Sequence, residues 1–459
     1  MLSQVMSRYQ YLEEQFRIAQ HKQFGQSTEG HPGQGELFNE AEALAVEPDT
    51  QEEAISYTRK KPTRKPLPKD LPREVIVHDI SDEEKVCGCC ADELHRIGED
   101  KSEKLQFIPA QVKVIEHVRP KYTCRTCEKE GISNTVKQAP VPHSVIPKGY
   151  ATPSLLAQII TSKNQYGLPL YRQESMFKQH GIELSRKTMA DWIIRCAELF
   201  KPLYDQLHQH ILKQPVIAAD ETTLKVVESE KVNSYMWLYA SGADSPIGNI
   251  PGTETPNIVL YDYHNSRAGQ CAVGFLKGYN GYLQVDGYQG YEQTQATLIG
   301  CWAHARRKFM EAKKGAGKKG SGKADWALNH IQKLYRIETQ LKDKTVEARY
   351  ITRQENNVPL LSQLHTWLMK SAQQVLPKTK LGEAIQYCLN QWKKLVHYTL
   401  DGLLSIDNNP AERAIKPFVI GRKNWLFSQT ATGANASAAL YSIVETAKAN
   451  DLNVFEYVM

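Results

Sequence analysis

No stretch of this chain approaches the run of about 18 apolar residues that a membrane-crossing helix requires, so a membrane-embedded function is not expected. Met1 to Gln20 is amphipathic and charged, and it lacks the apolar centre of a secretory signal. The nine cysteines are odd in number and accompany no export signal, which argues against a disulfide framework. A reducing cytoplasm is the expected location, and clustered cysteines read as metal ligands. Charge of one sign is also scarce, since the net is only +6. The basic residues are nevertheless bunched. Arg59, Lys60, Lys61, Arg64, Lys65 and Lys69 form one cluster, and Lys313, Lys314, Lys318, Lys319 and Lys323 another. Such clusters suit a polyanion such as a phosphate backbone, and each alone is equally well explained as a solvated linker. What is present is enough apolar sequence, 41% of 459 residues, for a sizeable core and two to four domains.

Val5, Tyr9, Leu12 and Phe16 fall near helical spacing, so residues 1–24 read as a helix. Gly25 to Asp70 is rich in Gly, Pro, Glu and Lys and reads as a linker. A strand-like stretch, Leu105 to Val118, lies among four cysteines. From Ser154 to Leu212 the pattern is helical. Leu155, Leu156, Ile159 and Ile160 make an apolar face, Arg172 to Gln179 form a short helix, Gly181 ends it, and Ser185 caps a third from Arg186 to about Phe200. Three short helices with a glycine turn suggest a helix-turn-helix unit. Strands are then predicted over Val216–Val227, Ser234–Ala240 and Asn257–Tyr263. A helix over Ala268–Lys277 follows, then strands over Gly281–Val285 and Ala296–Cys301. Lys308 to about Gln391 is mostly helical, and a short helix covers Asn409–Phe418.

Three strands, a helix and a fourth strand open an α/β ribonuclease-H-like core, in which carboxylates sit on the first strand, at the end of the fourth and on a late helix. Asp220, Asp286 and Glu412 occupy those places. Phosphodiester cleavage needs an activated water and a stabilised leaving oxygen, and two metal ions roughly 4 Å apart supply both. Magnesium, or manganese in its place, prefers such hard oxygen ligands. Asp220 is the expected bridge, with Asp286 and Glu412 each holding one ion. Each has a bland alternative. Asp220 could end a strand, although a charge after Val-Ile-Ala-Ala is costly to bury unpaired. Asp286 before Gly287 could start a turn. Glu412 could be a capping-box residue if Asn409 caps the helix, or pair with Lys416.

Cys301, Trp302, Ala303 and His304 precede Arg306, Arg307 and Lys308. Cys and His three apart could bind zinc, but no second pair lies nearby. His304, Arg306 and Arg307 are therefore expected beside the active site, on a phosphate, with a packed histidine and solvated basic helix as the plain alternative. Further candidate DNA contacts are Arg186 and Lys187 on the third helix and Arg413, Lys416, Arg422 and Lys423 late in the chain. Cys87, Cys90, Cys124 and Cys127 form two Cys-x2-Cys pairs suited to tetrahedral structural Zn2+. Cys89 is a spare thiol, and His95 or His117 could replace a ligand.

Longer motifs carry a resemblance. They are His21-Lys22-Gln23-Phe24-Gly25-Gln26-Ser27-Thr28-Glu29, Arg64 to Pro68, Leu168-Pro169-Leu170-Tyr171-Arg172-Gln173-Glu174, Ala219 to Thr222, Val285 to Tyr288, Cys301 to Arg307, Asp407 to Pro417 and Gly421 to Phe427. In this order, over almost the whole length, the chain resembles the large transposase of the insertion-sequence-66 family, a bacterial DDE transposase. The resemblance implies a DDE triad at Asp220, Asp286 and Glu412, and it is what moves Glu412 from cap to metal. It implies a zinc-finger-like domain, an all-helical insertion, and DNA partners in the form of the element's terminal inverted repeats and target DNA. Cleavage followed by strand transfer is the implied reaction. A homo-oligomer on DNA, accessory proteins of the same element and a nucleoid-associated place in a bacterial cytoplasm are expected with it. The expected layout is an N-terminal leucine-zipper-like helix (1–30), a linker (31–85), the zinc domain (86–135), a helical DNA-binding region (150–212), the catalytic domain (213–430, insertion about 312–400) and a C-terminal element (431–459). The short first helix and the stop at Met459 depart from the family pattern. The alternative is a truncated or decayed copy that binds DNA without catalysis, although with the triad intact these departures bear on oligomerisation more than on the active site.

Overall fold

The computed structural model describes residues 112–122, 137–147, 149–231, 233–241, 257–316 and 322–459, with Leu12. The chain divides into two compact units, Asp49–Pro140 and Val141–Met459, the latter grouped with Met1–Pro48. In the first unit, β1 (Lys121–Tyr122) pairs antiparallel with β2 (Lys137–Gln138). Arg119 Nε donates to the Ala139 carbonyl at 2.8 Å, which ties the base of this hairpin. The part of the expected Leu105–Val118 strand that is described, from Val112 on, joins no ladder. Cys87, Cys90, Cys124 and Cys127 lie outside the described residues.

The second unit opens with α1 (Pro153–Asn164), α2 (Leu170–Gln179), α3 (Arg186–Leu199) and α4 (Lys201–Ile211). Gly181 adopts φ +74° between α2 and α3, a left-handed conformation that glycine tolerates. Ser185 then caps α3, its hydroxyl accepting from Thr188 N at 3.1 Å. The Gln173-Glu174 pair has a structural explanation. Gln173 is fully buried and donates to the Leu168 and Ile159 carbonyls, whereas Glu174 Oε1 accepts from Arg186 N at 3.1 Å. These bonds fix the three helices as one block.

Five strands follow as one sheet: β3 (Val216–Leu224), β4 (Ser234–Ser241), β5 (Ile258–His264), β6 (Tyr282–Gln284) and β7 (Thr297–Ile299), in the order β5-β4-β3-β6-β7. The first three are antiparallel neighbours, and β6 and β7 run parallel to β3. A parallel return needs a crossover, and α5 (Gly269–Phe275) provides it. Because β6 pairs only with Val216–Ala218, the rest of β3 projects past its end. Side chains alternate across the sheet. Ile217, Ala219, Trp237 and Tyr239 pack toward α5 with Phe275 and Tyr291. Ala218, Met236, Leu238 and Tyr261 pack on the other face against two later helices that carry Phe418 and Tyr441.

Between β7 and those helices lies a helical insertion: α6 (Trp302–Ala316), α7 (Gly322–Gln340), α8 (Val346–Thr352), α9 (Val358–Ala372) and α10 (Lys380–Val396). It has its own core of Phe309, Ile331, Leu334, Leu364, Leu368, Ile385 and Cys388. A π turn, Arg353–Asn357, links α8 to α9. Arg353 is fully buried there. It pairs with Glu338 at 2.6 and 3.0 Å and donates to the Tyr398, Asp401 and Leu404 carbonyls at 2.7–2.9 Å.

The chain ends with α11 (Asn409–Trp425), α12 (Ala431–Ala449) and α13 (Val454–Val458). An edge strand exposes a row of unpaired backbone donors, and α12 covers them on β5. Ser442 Oγ accepts from Tyr261 N at 2.7 Å and Thr446 Oγ1 from Val259 N at 3.0 Å. The match is geometric. Two strand residues advance about 7 Å, and four helical residues advance about 6 Å. Among the described residues, no helix is long and apolar enough to cross a membrane.

Candidate active site

Asp220 points to the sheet face that α11 covers, as its even spacing from Ala218 requires. Its Oδ1 accepts from Glu221 N at 2.8 Å. Glu221 turns to the opposite face, where Tyr291 donates to it at 2.7 Å. Asp286 lies just beyond β6, in the crevice outside the carboxyl ends of the parallel strands. Its Oδ1 accepts from Tyr288 N at 2.9 Å across Gly287, whose φ of +110° only glycine adopts easily. Tyr387 of the insertion donates to the Asp286 carbonyl at 2.8 Å.

Glu412 is the fourth residue of α11, which starts at Asn409 as the sequence pattern predicts, so Asn409 is not its cap. Glu412 N donates to the Asn408 carbonyl at 3.2 Å, so its carboxylate is past the capping-box position. The carboxylate is 4% exposed, and neither oxygen has a hydrogen-bond partner. It caps nothing. The nearest basic groups are His304, its Nδ1 3.4 Å from Oε1, and the Arg307 guanidinium, its Nη2 3.7 Å from Oε2.

The start of α11 is fastened from three directions. Asn408 Nδ2 donates to the Ala219 carbonyl at 2.9 Å, beside Asp220. Asn408 N donates to Cys301 Sγ at 3.2 Å. Asp407 accepts from Asn409 and, at 3.2 Å, from Tyr335 of the insertion, and Gln284 of β6 donates to the Ser405 and Asp407 carbonyls. Asn408 holds the cap position without a side-chain cap because its amide is committed to β3.

These bonds gather negative charge away from water. The Asp220 carboxyl is pushed well above the usual carboxylate range by burial and by repulsion from Glu221, Asp286 and Glu412. Burial, reinforced by Asp286 and opposed by Arg307 and Arg413, pushes Glu412 up to about 7. His304 is pulled down by burial and by Arg307. Cys301 Sγ, His304 and Glu412 also lie within 4.8 Å of one another. Burial drives the Cys301 thiol strongly upward, and its sulfur already accepts the Asn408 N–H. A thiol kept protonated is a poor metal ligand, so Cys301 serves to join the starts of α6 and α11.

The other candidate residues are spread more widely. Arg307 is half-exposed, whereas Arg306 is buried. Arg413 and Lys416 are half-buried on α11, and Lys423 is exposed. Arg422 donates to Thr222 Oγ1 at 3.1 Å and to the Thr223 carbonyl. Arg186 and Lys187 are exposed at the start of α3, apart from the carboxylates. Sequence reasoning missed Tyr335, Tyr387 and the bracing role of Asn408, which no local pattern marks.

Residues 148–436 match the family model described as Transposase IS66 family. The chain belongs to the IS66 transposase family. A second match, the zinc-finger binding domain of transposase IS66, covers residues 84–128 and hence all four paired cysteines. A third, described as Transposase C of IS166 homeodomain, covers residues 11–76. Among relatives, the uncharacterized protein y4hP of Sinorhizobium fredii is 35% identical over 87% of this chain and 73% of its own length. The uncharacterized protein y4jD of the same organism is 35% identical over 85% of this chain and 76% of its own. The IS66 chain thus joins a transposase domain to a zinc-finger domain. DNA is its class of partner, and cutting and transferring DNA is its general class of activity.

Proposed function

We propose that this chain is a DDE transposase with a ribonuclease-H-like core, in which Asp220, Asp286 and Glu412 hold two divalent metal ions, Mg2+ or Mn2+. The buried Glu412 carboxylate, which no hydrogen bond satisfies, carries the reading. Asn408 ties the start of its helix to the Ala219 carbonyl next to Asp220, and the charge of Glu412 reaches Asp220. Three hard carboxylates that repel one another suit a divalent cation and are costly without one. The antiparallel β5-β4-β3 run, with β6 and β7 parallel to β3, supports the fold assignment.

When bound, the metal pair would activate the attacking oxygen and stabilise the leaving one. Arg307 and His304 are placed to meet the phosphate beside Glu412. In cleavage, a water oxygen bonds to phosphorus as the bond to the 3′ oxygen breaks, leaving a 3′ hydroxyl. In transfer, that hydroxyl attacks a target phosphodiester and displaces its 3′ oxygen. Cys87, Cys90, Cys124 and Cys127 would hold the Zn2+ of the zinc-finger domain. The α2–α3 pair, with Arg186 and Lys187 exposed, would lie in a DNA groove. This reading adopts the domain layout set out above, with the terminal inverted repeats and target DNA as partners, a homo-oligomer on DNA and a place at the bacterial nucleoid.

The direct test incubates purified protein with DNA carrying the element's ends. The expected result is a nick and strand transfer that require magnesium or manganese and vanish with chelator. A protein that binds the ends but never nicks them in either metal is the inactive DNA-binding copy instead. Nicking without joining would mark a hydrolytic nuclease.

Metal should also change stability with pH. Glu412 titrates near 4.5 when unperturbed and about 7 in this fold. The advantage of its protonated form is complete below the lower value and lost as pH rises through the higher one. The metal-free protein should therefore lose melting temperature between these values. Magnesium should raise the melting temperature clearly at pH 7.5 and little at pH 4.5. An equal gain at both, measured by scanning calorimetry, would contradict a carboxylate metal site.

A further inference from the structure

We propose that Arg267 is a phosphate-binding residue of this site, gripping the DNA backbone near Asp286 as Arg307 does near Glu412. The inference rests on the transposase reading and adds a contact that no motif marks. Arg267 lies in the turn between β5 and α5. Its Nε and Nη2 donate to Glu221 Oε1 at 2.9 and 2.5 Å. Its guanidinium carbon stands 4.1 Å from the centre of the Tyr288 ring, and the Tyr288 hydroxyl donates to the Arg267 carbonyl. One edge of the fork and one face of its plane are thus fixed. Nη1 takes no partner among the described residues, and the side chain remains 45% exposed.

The position is tied to Asp286 through Tyr288, two residues beyond it, whereas Glu221 holds Arg267 from the sheet face opposite Asp220. The negative charge of Asp286 reaches both Arg267 and Glu221. Glu221 is itself 1% exposed and already receives the Tyr291 hydroxyl. Two Arg267 nitrogens and the Tyr291 hydroxyl together satisfy that buried carboxylate. A planar fork, pinned at one edge and stacked on a ring, does more than this. It presents the free edge at a set angle, the geometry in which arginine recognises a phosphate. Ordering is settled before DNA arrives, so less entropy is lost on binding. Arg267 and Arg307 would then contact separate backbone phosphates.

The test measures binding of the full chain to DNA carrying the element's ends, across a salt series without metal, so that no cleavage intervenes. Each phosphate contact contributes about 0.9 to the slope of log affinity against log salt. Arg267→Ala should lower the slope by about that amount. Arg267 also satisfies Glu221, so the double variant Arg267→Ala/Glu221→Gln is measured too, because it removes the buried charge that the single change strands. The slope should stay lowered in the double variant while its melting temperature recovers. A slope equal to wild type in Arg267→Ala, or one restored in the double variant, would overturn the inference and leave Arg267 a structural partner of Glu221. Either outcome is independent of whether the wild-type chain cuts and joins, which is what decides the transposase reading.

Discussion

Asp220→Asn is expected to abolish strand cleavage and joining while DNA carrying the element's ends is still bound. Asparagine keeps the size of the side chain and an oxygen able to accept from Glu221 N. It loses the negative charge that two cations would share. Metal ions contribute several kcal/mol to such a displacement, so a rate loss of at least about a thousandfold follows, or about 4 kcal/mol. The metal-free variant should also be more stable than wild type at neutral pH, because burial and the carboxylate neighbours disfavour the charged form of Asp220 that the unfolded chain adopts freely. The rise in melting temperature with magnesium should shrink in the same protein. Gel assays of nicking and calorimetry read the two effects separately. A variant that cuts at the wild-type rate removes Asp220 from the chemistry.

Arg353→Ala should produce the largest loss of stability, about 3–5 kcal/mol, because it strands the Glu338 carboxylate in the insertion. The guanidinium also satisfies the carbonyls of Tyr398, Asp401 and Leu404. Those residues shape the approach to Asp407 and the start of α11, so cleavage should fall along with stability. Arg353→Lys should recover little, since one ammonium cannot reproduce a two-point pair and three carbonyl bonds. Arg353→Met is the informative control, paired with Glu338→Leu. If replacing both charges restores the melting temperature, the network is a matter of charge satisfaction alone. Denaturation by urea checks the first claim. A loss below about 1 kcal/mol would place the pair among weak surface ion pairs instead.

Much of this architecture is legible in the sequence where the information is local. β3 is readable because Val216, Ile217, Thr222 and Thr223 favour a strand and because apolar residues lead up to Asp220. Gly181 and Ser185 mark the end of one helix and the start of the next for steric and hydrogen-bonding reasons. The start of α11 at Asn409 was readable, but what holds it there was not. Asn408 and Asn409 are both good cap formers, and the choice between them is made by the distant Ala219 carbonyl and Cys301 sulfur. Tyr335 and Tyr387 had no signal at all, because a tyrosine in a helical pattern reads as core until its hydroxyl is seen on Asp407 or Asp286. The alternation that places Asp220 and Glu221 on opposite faces was readable, but Arg267 was not, since its partners come from three separate segments.

The clasp around Asn408 has a consequence for when the protein becomes dangerous to DNA. Its bonds join residues 189 and 107 positions apart in the chain. Contacts of such separation form late, after shorter-range structure has paid for closing the intervening loops. A growing chain on the ribosome can carry Asp220 and Asp286 in a formed sheet and still lack the glutamate, which is translated after the whole insertion. On the proposed reading, the carboxylate cluster would be completed only after the insertion has been made and folded, and shorter nascent chains would not cut DNA.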